Sequence, residues 1–348
     1  MKNYFLPVSL FYILFFSFFL VSCDTDDDND PSTLCEADFY TLTTSGTVGT
    51  PPYDIYSYQK STSFQSPVPL LTNFNLNTSG MSLMYFKSTF DKDGGIIVYQ
   101  IARAHNLIKF DIQTQNIVQI SKNPVTDGFY PEFVNHNLYF LQIVPTTFDS
   151  HNDIAIADLN IKDNAGMLIA NTSLNFSNSG FKFNLNASST SDLNEKIFYL
   201  ANTSLVTYNV VNQGFSFSQL EVFDVLTNAV YYAGVEYVDS QTLYALRINT
   251  TTNAVDLIQI NTGANPTSIT VLQNLQGLSM QAADIVNNIE YIKSAYDDCD
   301  NSYYFTYTDA YNSSIPVIVE VKPDTGSVTE YPFSVNSGEI FYSLEINN

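Results

Sequence analysis

Along most of this chain apolar and polar residues alternate with a period of two, and the alternating stretches are of two kinds. The first is a polar turn leading into an apolar, aromatic-rich run: ADFYTL (37–42), GGIIVYQI (94–101), HNLYFLQI (136–143), EKIFYLA (195–201), QTLYALRI (241–248) and NSYYFTYT (301–308). The second alternates and ends in a polar turn: YDIYSYQ (53–59), LIKFDIQTQ (107–115), DIAIADLNIKDNAG (153–166), LVTYNVVNQG (205–214), VDLIQINTG (255–263) and VIVEVKPDTG (317–326). Alternation of this kind marks half-buried strands, and the bounding Asn, Asp, Gly and Ser are turn formers. The two kinds follow one another strictly. Aligned at Tyr56, Phe110, Ala157, Tyr208, Ile260 and Val321, the second kind recurs about every 50 residues, which is the spacing of propeller blades rather than of a sandwich or a helical solenoid. The pattern predicts an all-β chain folded as a six-bladed β-propeller, with seven blades the alternative. No segment carries a helical stripe of useful length. The sixth interval is stretched by residues 278–298.

The ends of the pattern predict how the ring closes. The repeats open on ADFY, which matches the second strand of a blade, and finish with GEIFYSLEIN (338–347), a strand with no hairpin partner after it. This last strand is expected to complete the first blade as its missing inner strand, which removes free sheet edges. Cys35 precedes the first repeat's strand, and Cys299 lies in the equivalent turn of the sixth. A disulfide between them would staple the seam if their Cα atoms lie about 5–6 Å apart; two buried thiols are the alternative.

Ahead of the repeats stands a different pattern. Lys2 and Asn3 lead into an apolar run from Tyr4 to Val21, then Ser22, Cys23 and DTDDDND. Leu20-Val21-Ser22-Cys23 resembles the lipobox of a bacterial lipoprotein signal. The resemblance implies cleavage before Cys23 and a diacylglycerol on its sulfur. A run of about 18 residues is also long enough to span a bilayer, so a retained anchor is the alternative. Against it, the run ends in a small residue and meets acid rather than the basic flank that halts transfer. Asp24, Asp26, Asp27, Asp28 and Asp30 form a self-repelling tether that is also similar to the sorting stretch of Bacteroidetes surface lipoproteins. It is not an EF-hand, whose sixth and twelfth positions require Gly and Glu where this chain has Asn29 and Cys35. The organisation expected is a signal peptide at 1–22, a tether at 23–34 and a propeller domain at 35–348, attached to membrane at the cell envelope, on the outer membrane.

One block, YPEFVNHNLYFLQIVPTTFDSHNDIAIADL (130–159), is similar to repeats of TolB-like six-bladed propellers: a proline-led strand, a polar turn, an apolar strand and a strand ending in Asp-Leu. Pro131 and Asp158-Leu159 match, and Asn135-His136-Asn137 replaces the family's Pro-Asp-Gly turn. The family's separate N-terminal domain has no counterpart, so its partner interactions do not carry over.

Composition narrows function without naming it. The chain holds 24 Tyr, 26 Phe and no Trp, with a formal net charge of −22. Strand-forming residues dominate, and the deficit of Lys and Arg excludes nucleic acid bound through its phosphates. No H-E-x-x-H, G-x-S-x-G or P-loop pattern occurs. Asp149-x-His151-x-Asp153 could place metal-capable side chains on one side of an extended strand, and His105 and His136 lie near turns. Acidic clusters at Asp91/Asp93 and at Asp297, Asp298 and Asp300 have the oxygen density that holds Ca²⁺, although Asp is equally a turn residue. Glu195 and Glu236 are isolated acids of the kind that serve acid–base chemistry. In the pairs Tyr231-Tyr232, Tyr303-Tyr304 and Phe341-Tyr342 adjacent residues face opposite sides, so one of each pair is expected in the core. The fold-level expectation is a binding or scaffolding module for a protein or glycan ligand at the loop face or central channel. The rival is a calcium-dependent hydrolase of lactones, esters or glycans with its site in the channel. A third possibility is a structural part of an envelope complex. Carboxylates converging in the channel would favour the hydrolase, and a channel filled with Tyr and Phe would favour a scaffold.

Overall fold

The computed structural model describes residues 37–44, 52–75, 86–101, 106–121, 129–148, 154–175, 188–201, 204–221, 230–307, 317–333 and 340–347. Their strands form six antiparallel sheets, each a blade of a ring. Blade 2 holds β4 (Phe86–Asp91), β5 (Ile96–Ile101), β6 (Asn106–Asp111) and β7 (Asn116–Ser121). Blade 3 holds β8 (Phe129–Val134), β9 (Asn137–Phe148), β10 (Ile154–Lys162) and β11 (Leu168–Asn175). Blade 4 is β12 (Ser188–Ser191) to β15 (Gly214–Gln219), through β13 (Lys196–Ala201) and β14 (Ser204–Asn209). Blade 5 runs from β16 (Val230–Asp239) through β17 (Thr242–Asn249) and β18 (Ala254–Asn261) to β19 (Ser268–Asn274). Blade 6 runs from β20 (Lys293–Asp297) through β21 (Ser302–Tyr307) and β22 (Val317–Lys322) to β23 (Ser327–Pro332). Blade 1 combines β1 (Asp38–Thr44), β2 (Tyr53–Gln59) and β3 (Val68–Phe74) with the C-terminal β24 (Ile340–Phe341) and β25 (Glu345–Asn347). The two kinds of repeat are the second and third strands of each blade, and the count is six rather than seven.

Both faces of a blade are covered by its neighbours, so alternate residues of one strand enter two different cores. In β21, Tyr303, Phe305 and Tyr307 pack between blades 5 and 6, while Tyr304 packs between blades 6 and 1. Tyr303 and Tyr304 are therefore both fully buried, where only one of the pair was expected inside. Tyr231 and Tyr232 likewise point to opposite sides, into the blade 5–6 and blade 4–5 cores. The stretched sixth repeat holds a short helix, α1 (Ala282–Asn287), followed by a 3₁₀ turn at Ile289–Tyr291. Six residues are too few to print a stripe, yet Ala282, Ile285 and Ile289 seal the blade 5–6 core.

The C-terminal strand closes the ring in two pieces. Thr43 and Thr44 pair with Phe341 and Ile340, and Asp38, Phe39 and Tyr40 pair with Asn347, Ile346 and Glu345. Between them the ladder is interrupted, and the Ser343 hydroxyl accepts the Leu42 amide at 2.8 Å. The break lets Tyr342 enter the blade 1–2 core while Leu344 and Ile346 enter the blade 6–1 core. An unbroken strand would send all three to one side.

The seam between blades 6 and 1 is also clasped from outside the ladder. After β2 the chain makes a 3₁₀ turn (Lys60–Thr62), then passes Ser63 and Phe64 at positive φ. This loop buries Phe64 edge-on against Phe39 and Tyr331. It also brings the Lys60 ammonium to Asp300 and, at 2.5 Å, to Glu320. Glu320 is 5% exposed in its side chain and accepts further bonds from Ser302 (3.1 Å), Tyr304 (3.2 Å) and Tyr331 (2.8 Å).

Candidate functional site

Six inner strands meet around the axis: β4, β8, β12, β16 and β20, with β25 completing the circle. They enclose a cavity of about 300 Å³, lined from every blade. Its wall follows a rule. Glutamates come from blades 1, 3 and 5, and hydroxyls from blades 2, 4 and 6 meet them. Glu345 is bonded by Ser88. Glu132 is bonded by Ser189 and, at 3.3 Å, by the Thr89 hydroxyl. Glu236 accepts the Ser294 hydroxyl at 2.6 Å. Lysines from blades 2 and 6 complete the lining: Lys87, whose ammonium lies 5.4 Å from the Tyr130 ring centre, Lys92 and Lys293.

Local sequence places Glu236 by an irregularity. In β16, Tyr232 faces blade 4 and Ala233 faces blade 6, but the register shifts between Ala233 and Glu236. Gly234 sits at φ +62, a conformation that favours glycine. The extra residue of the bulge reverses the alternation. Val235 and Tyr237 then face blade 4, and Glu236 faces Ser294 of blade 6. The Tyr303 hydroxyl donates to the Gly234 carbonyl at 2.5 Å, and a Cβ on Gly234 would lie 2.4 Å from the Tyr303 hydroxyl oxygen.

The environment shifts every one of these acids in the same direction. Burial pushes Glu236 up to about 7 and Glu345 up to about 8, and Lys92 and the partner hydroxyls offset only part of it. Glu132 is raised well above the carboxylate range by burial, with Glu345 and Glu236 adding repulsion. Burial pulls Lys87 down to about 8, against the attraction of Glu132. At neutral pH most of these glutamates are neutral acids, able to donate as well as accept.

Of the residues singled out from sequence, Glu236 lies in this wall. Glu195 does not: it is half-exposed and pairs with Lys196 at 3.4 Å. Asp297, Asp298 and Asp300 gather in the β20–β21 turn at the seam. One Asp297 oxygen accepts the Cys299 amide at 3.0 Å, Asp300 pairs with Lys60 and with Lys322 at 3.4 Å, and Asp298 reaches the cavity rim. Among the described residues no three His, Cys, Asp or Glu side chains gather into a group able to hold a metal. His136 occupies a tight turn with Asn135, both at positive φ, and its Nδ1 lies 2.9 Å from Asp91 of the next blade. Cys299 is disulfide-bonded; Cys35, its expected partner, lies outside the described residues. So do the apolar run, Cys23, the acidic stretch, His105, His151, Asp149 and Asp153. Glu132 and Glu345 went unnoticed in the sequence, although one lies in the proline-led strand YPEFV and the other in the closing strand.

No family model matches this chain, and no curated protein matches it. Solved structures do. A protein from Lactobacillus plantarum is similar at 9% identity, with 90% of this chain and 100% of that one covered and a TM-score of 0.50. A chain of a nidogen–laminin complex is similar at 10% identity, over 90% and 98% of the two chains, with a TM-score of 0.49. At such identities the likeness concerns the fold alone.

Proposed function

We propose that this protein is a binding module that takes a small hydrophilic ligand into its central channel, held at a bacterial envelope by lipid on Cys23. The observation that carries the reading is the cavity wall, to which every blade contributes and in which polar groups outnumber apolar ones. A scaffold that used only its outer faces would have no reason to keep neutral glutamic acids and lysines on the axis, where burial is unfavourable to each. Glu132, Glu236 and Glu345 converge on the channel from three blades, but among the described residues they do not gather into a group able to hold a metal, and their hydroxyl partners favour binding over calcium-assisted hydrolysis.

Screening the purified protein against a library of small hydrophilic solutes by ligand-observed NMR tests this, with Glu132→Gln and Lys87→Met as channel variants. Solutes that bind the wild type and lose binding in both variants support the reading. No binding solute, or solutes indifferent to both variants, would overturn it. The anchor has its own test: Cys23→Ser should abolish fatty-acid labelling and move the protein from the membrane to the soluble fraction.

A further inference from the structure

We infer that the channel ligand is a small organic anion, a carboxylate or a phosphate ester, held between Lys87 of blade 2 and Lys293 of blade 6. The inference rests on the reading of the channel as a ligand site and names the ligand's charge.

The placement of the cations carries it. The whole chain has 13 Lys and Arg against a net charge of −22, yet Lys87, Lys92 and Lys293 all line one cavity of about 300 Å³. Two of them hold corresponding places. The inner strand reads Lys87-Ser88-Thr89 in blade 2 and Lys293-Ser294-Ala295 in blade 6. In each, the serine bonds a glutamate of the preceding blade, Glu345 or Glu236. Side chains alternate along a strand, so each lysine turns toward the following blade. Lys87 thus lies over the Tyr130 ring of blade 3, and Lys293, 7% exposed, turns toward blade 1.

Blade 4 shows that the fold itself does not require a lysine at this place. Its inner strand reads Ser188-Ser189-Thr190. Ser189 bonds Glu132, and Ser188 accepts the Val235 amide of the following blade at 3.0 Å. A short hydroxyl is therefore enough to join two blades there. Burying an ammonium instead is unfavourable unless an anion or several acceptors meet it, and blades 2 and 6 both do so on one cavity. Where a lysine braces the seam, it is met by two acids at once: Lys60 pairs with Asp300 and Glu320.

The acids of the wall do not cancel these charges. Glu132, Glu236 and Glu345 lie within electrostatic reach of one another, and like charges so close disfavour joint ionisation. Asp298, the remaining acid of the lining, sits in the turn after β20. Burial lowers Lys87 to about 8 and raises Glu345 to about 8, so at pH 7 the lysine is still a cation and the glutamate a neutral acid. A neutral carboxyl donates to an oxyanion, and the three donors of an ammonium can serve a neighbour and a ligand oxygen together. Hydrogen bonds to an ionised oxygen are the strong ones. An amine in the same place would meet ammonium groups from two blades.

The test is calorimetric titration of the full-length protein in detergent at pH 7. Acetate, lactate, succinate and glycerol 3-phosphate are the anionic probes, and the two arms separate carboxylates from phosphate esters. Succinamide, glycerol and putrescine are the neutral and cationic counterparts. At least one anion should bind and its neutral counterpart should not. Lys87→Met and Lys293→Met should each weaken that anion at least tenfold, whereas Lys109→Met, at an exposed position of β6, should leave it unchanged. If a channel variant fails to fold, the wild-type comparison of anion with uncharged counterpart still decides. Binding confined to the neutral probes or to putrescine would overturn the inference and leave the channel reading intact. So would failure of every anion while other solutes of the NMR screen bind in the channel. An anion indifferent to both channel lysines would also overturn it. Failure of all probes and all solutes would overturn the two readings together.

Discussion

Glu320 at the seam and Glu345 in the channel are both glutamates of the closing region, and both are removed from water, yet their proton affinities move in opposite directions. Burial opposes ionisation at each. At Glu320 the bond from Lys60, with Tyr331 and Ser302 behind it, more than offsets burial and holds the carboxyl below its ordinary value. At Glu345 a serine hydroxyl and a more distant Lys92 do not, and the acid rises to about 8. Asp300 follows Glu320 downward, through burial outweighed by Lys60, and Glu236 follows Glu345 upward. The seam thus uses charge to hold two blades together, whereas the channel glutamates meet hydroxyls in place of a bonded cation. Buried titratable groups with raised proton affinity at a cavity are candidates for a functional site.

The largest effect expected from this contrast is at Lys60. Lys60→Met leaves Asp300 and Glu320 without their cation at side-chain exposures of 17% and 5%, and should destabilise the fold by about 3–5 kcal/mol. Urea unfolding at pH 7 measures it. Wild-type stability in that variant would mean that Phe64 and the C-terminal strand close the ring by themselves.

The pH dependence separates the two regions by sign. The seam acids, held below their ordinary values, contribute stability above about pH 4 that is lost as the pH falls through their folded values. The channel acids are raised, so their contribution is complete below about pH 4 and declines as the pH climbs to their folded values of about 7 and 8. Glu345→Gln should therefore stabilise the protein at pH 8.5 by about 3–5 kcal/mol and make little difference at pH 4.5. Equal effects at the two pH values, read from denaturant midpoints, would refute the raised acid.

Next in size is Gly234→Ala. It forces a side chain onto a positive φ and against the Tyr303 hydroxyl, and should destabilise by about 1–3 kcal/mol. Because the bulge aims Glu236 at the cavity, channel binding should fall with it. Retained binding in a destabilised protein would show that Glu236 is not placed by the bulge.

The smallest effect is expected at the exposed pair of His136 and Asp91. The hydrogen bond that His136 donates to Asp91 raises the histidine, but the side chain is 62% exposed, and exposed pairs contribute little. His136→Asn, a residue that also accepts positive φ, should leave the melting temperature unchanged. A clear drop would make this inter-blade contact a second brace.

The second and third strands of each blade were legible because they are rich in apolar and aromatic residues, end in polar turns and recur at a fixed period; with both faces packed on other blades, β21 is buried throughout. The inner strands were not: β12 has four residues, β16 is bulged and β24–β25 is split. Those irregular strands share the cavity wall with the short regular β4, β8 and β20. Glu236 stood out only as an isolated acid, and nothing in YPEFV or in the closing strand marks Glu132 or Glu345 as its companions. Positions tens to hundreds of residues apart acquire a relation only when six strands share an axis.

The sequence by itself determined the period, the choice between six and seven blades and the return of the last strand to the first blade. All three follow from local alternation and turn chemistry, which act over a few residues and repeat. The tertiary structure alone decided which way each inner-strand side chain faces, through the bulge at Gly234 and the break at Ser343. It also decided whether a buried acid meets Lys60 or only a serine. Desolvation and pairing depend on what other blades bring to within a few ångströms, and no pattern along one strand records that.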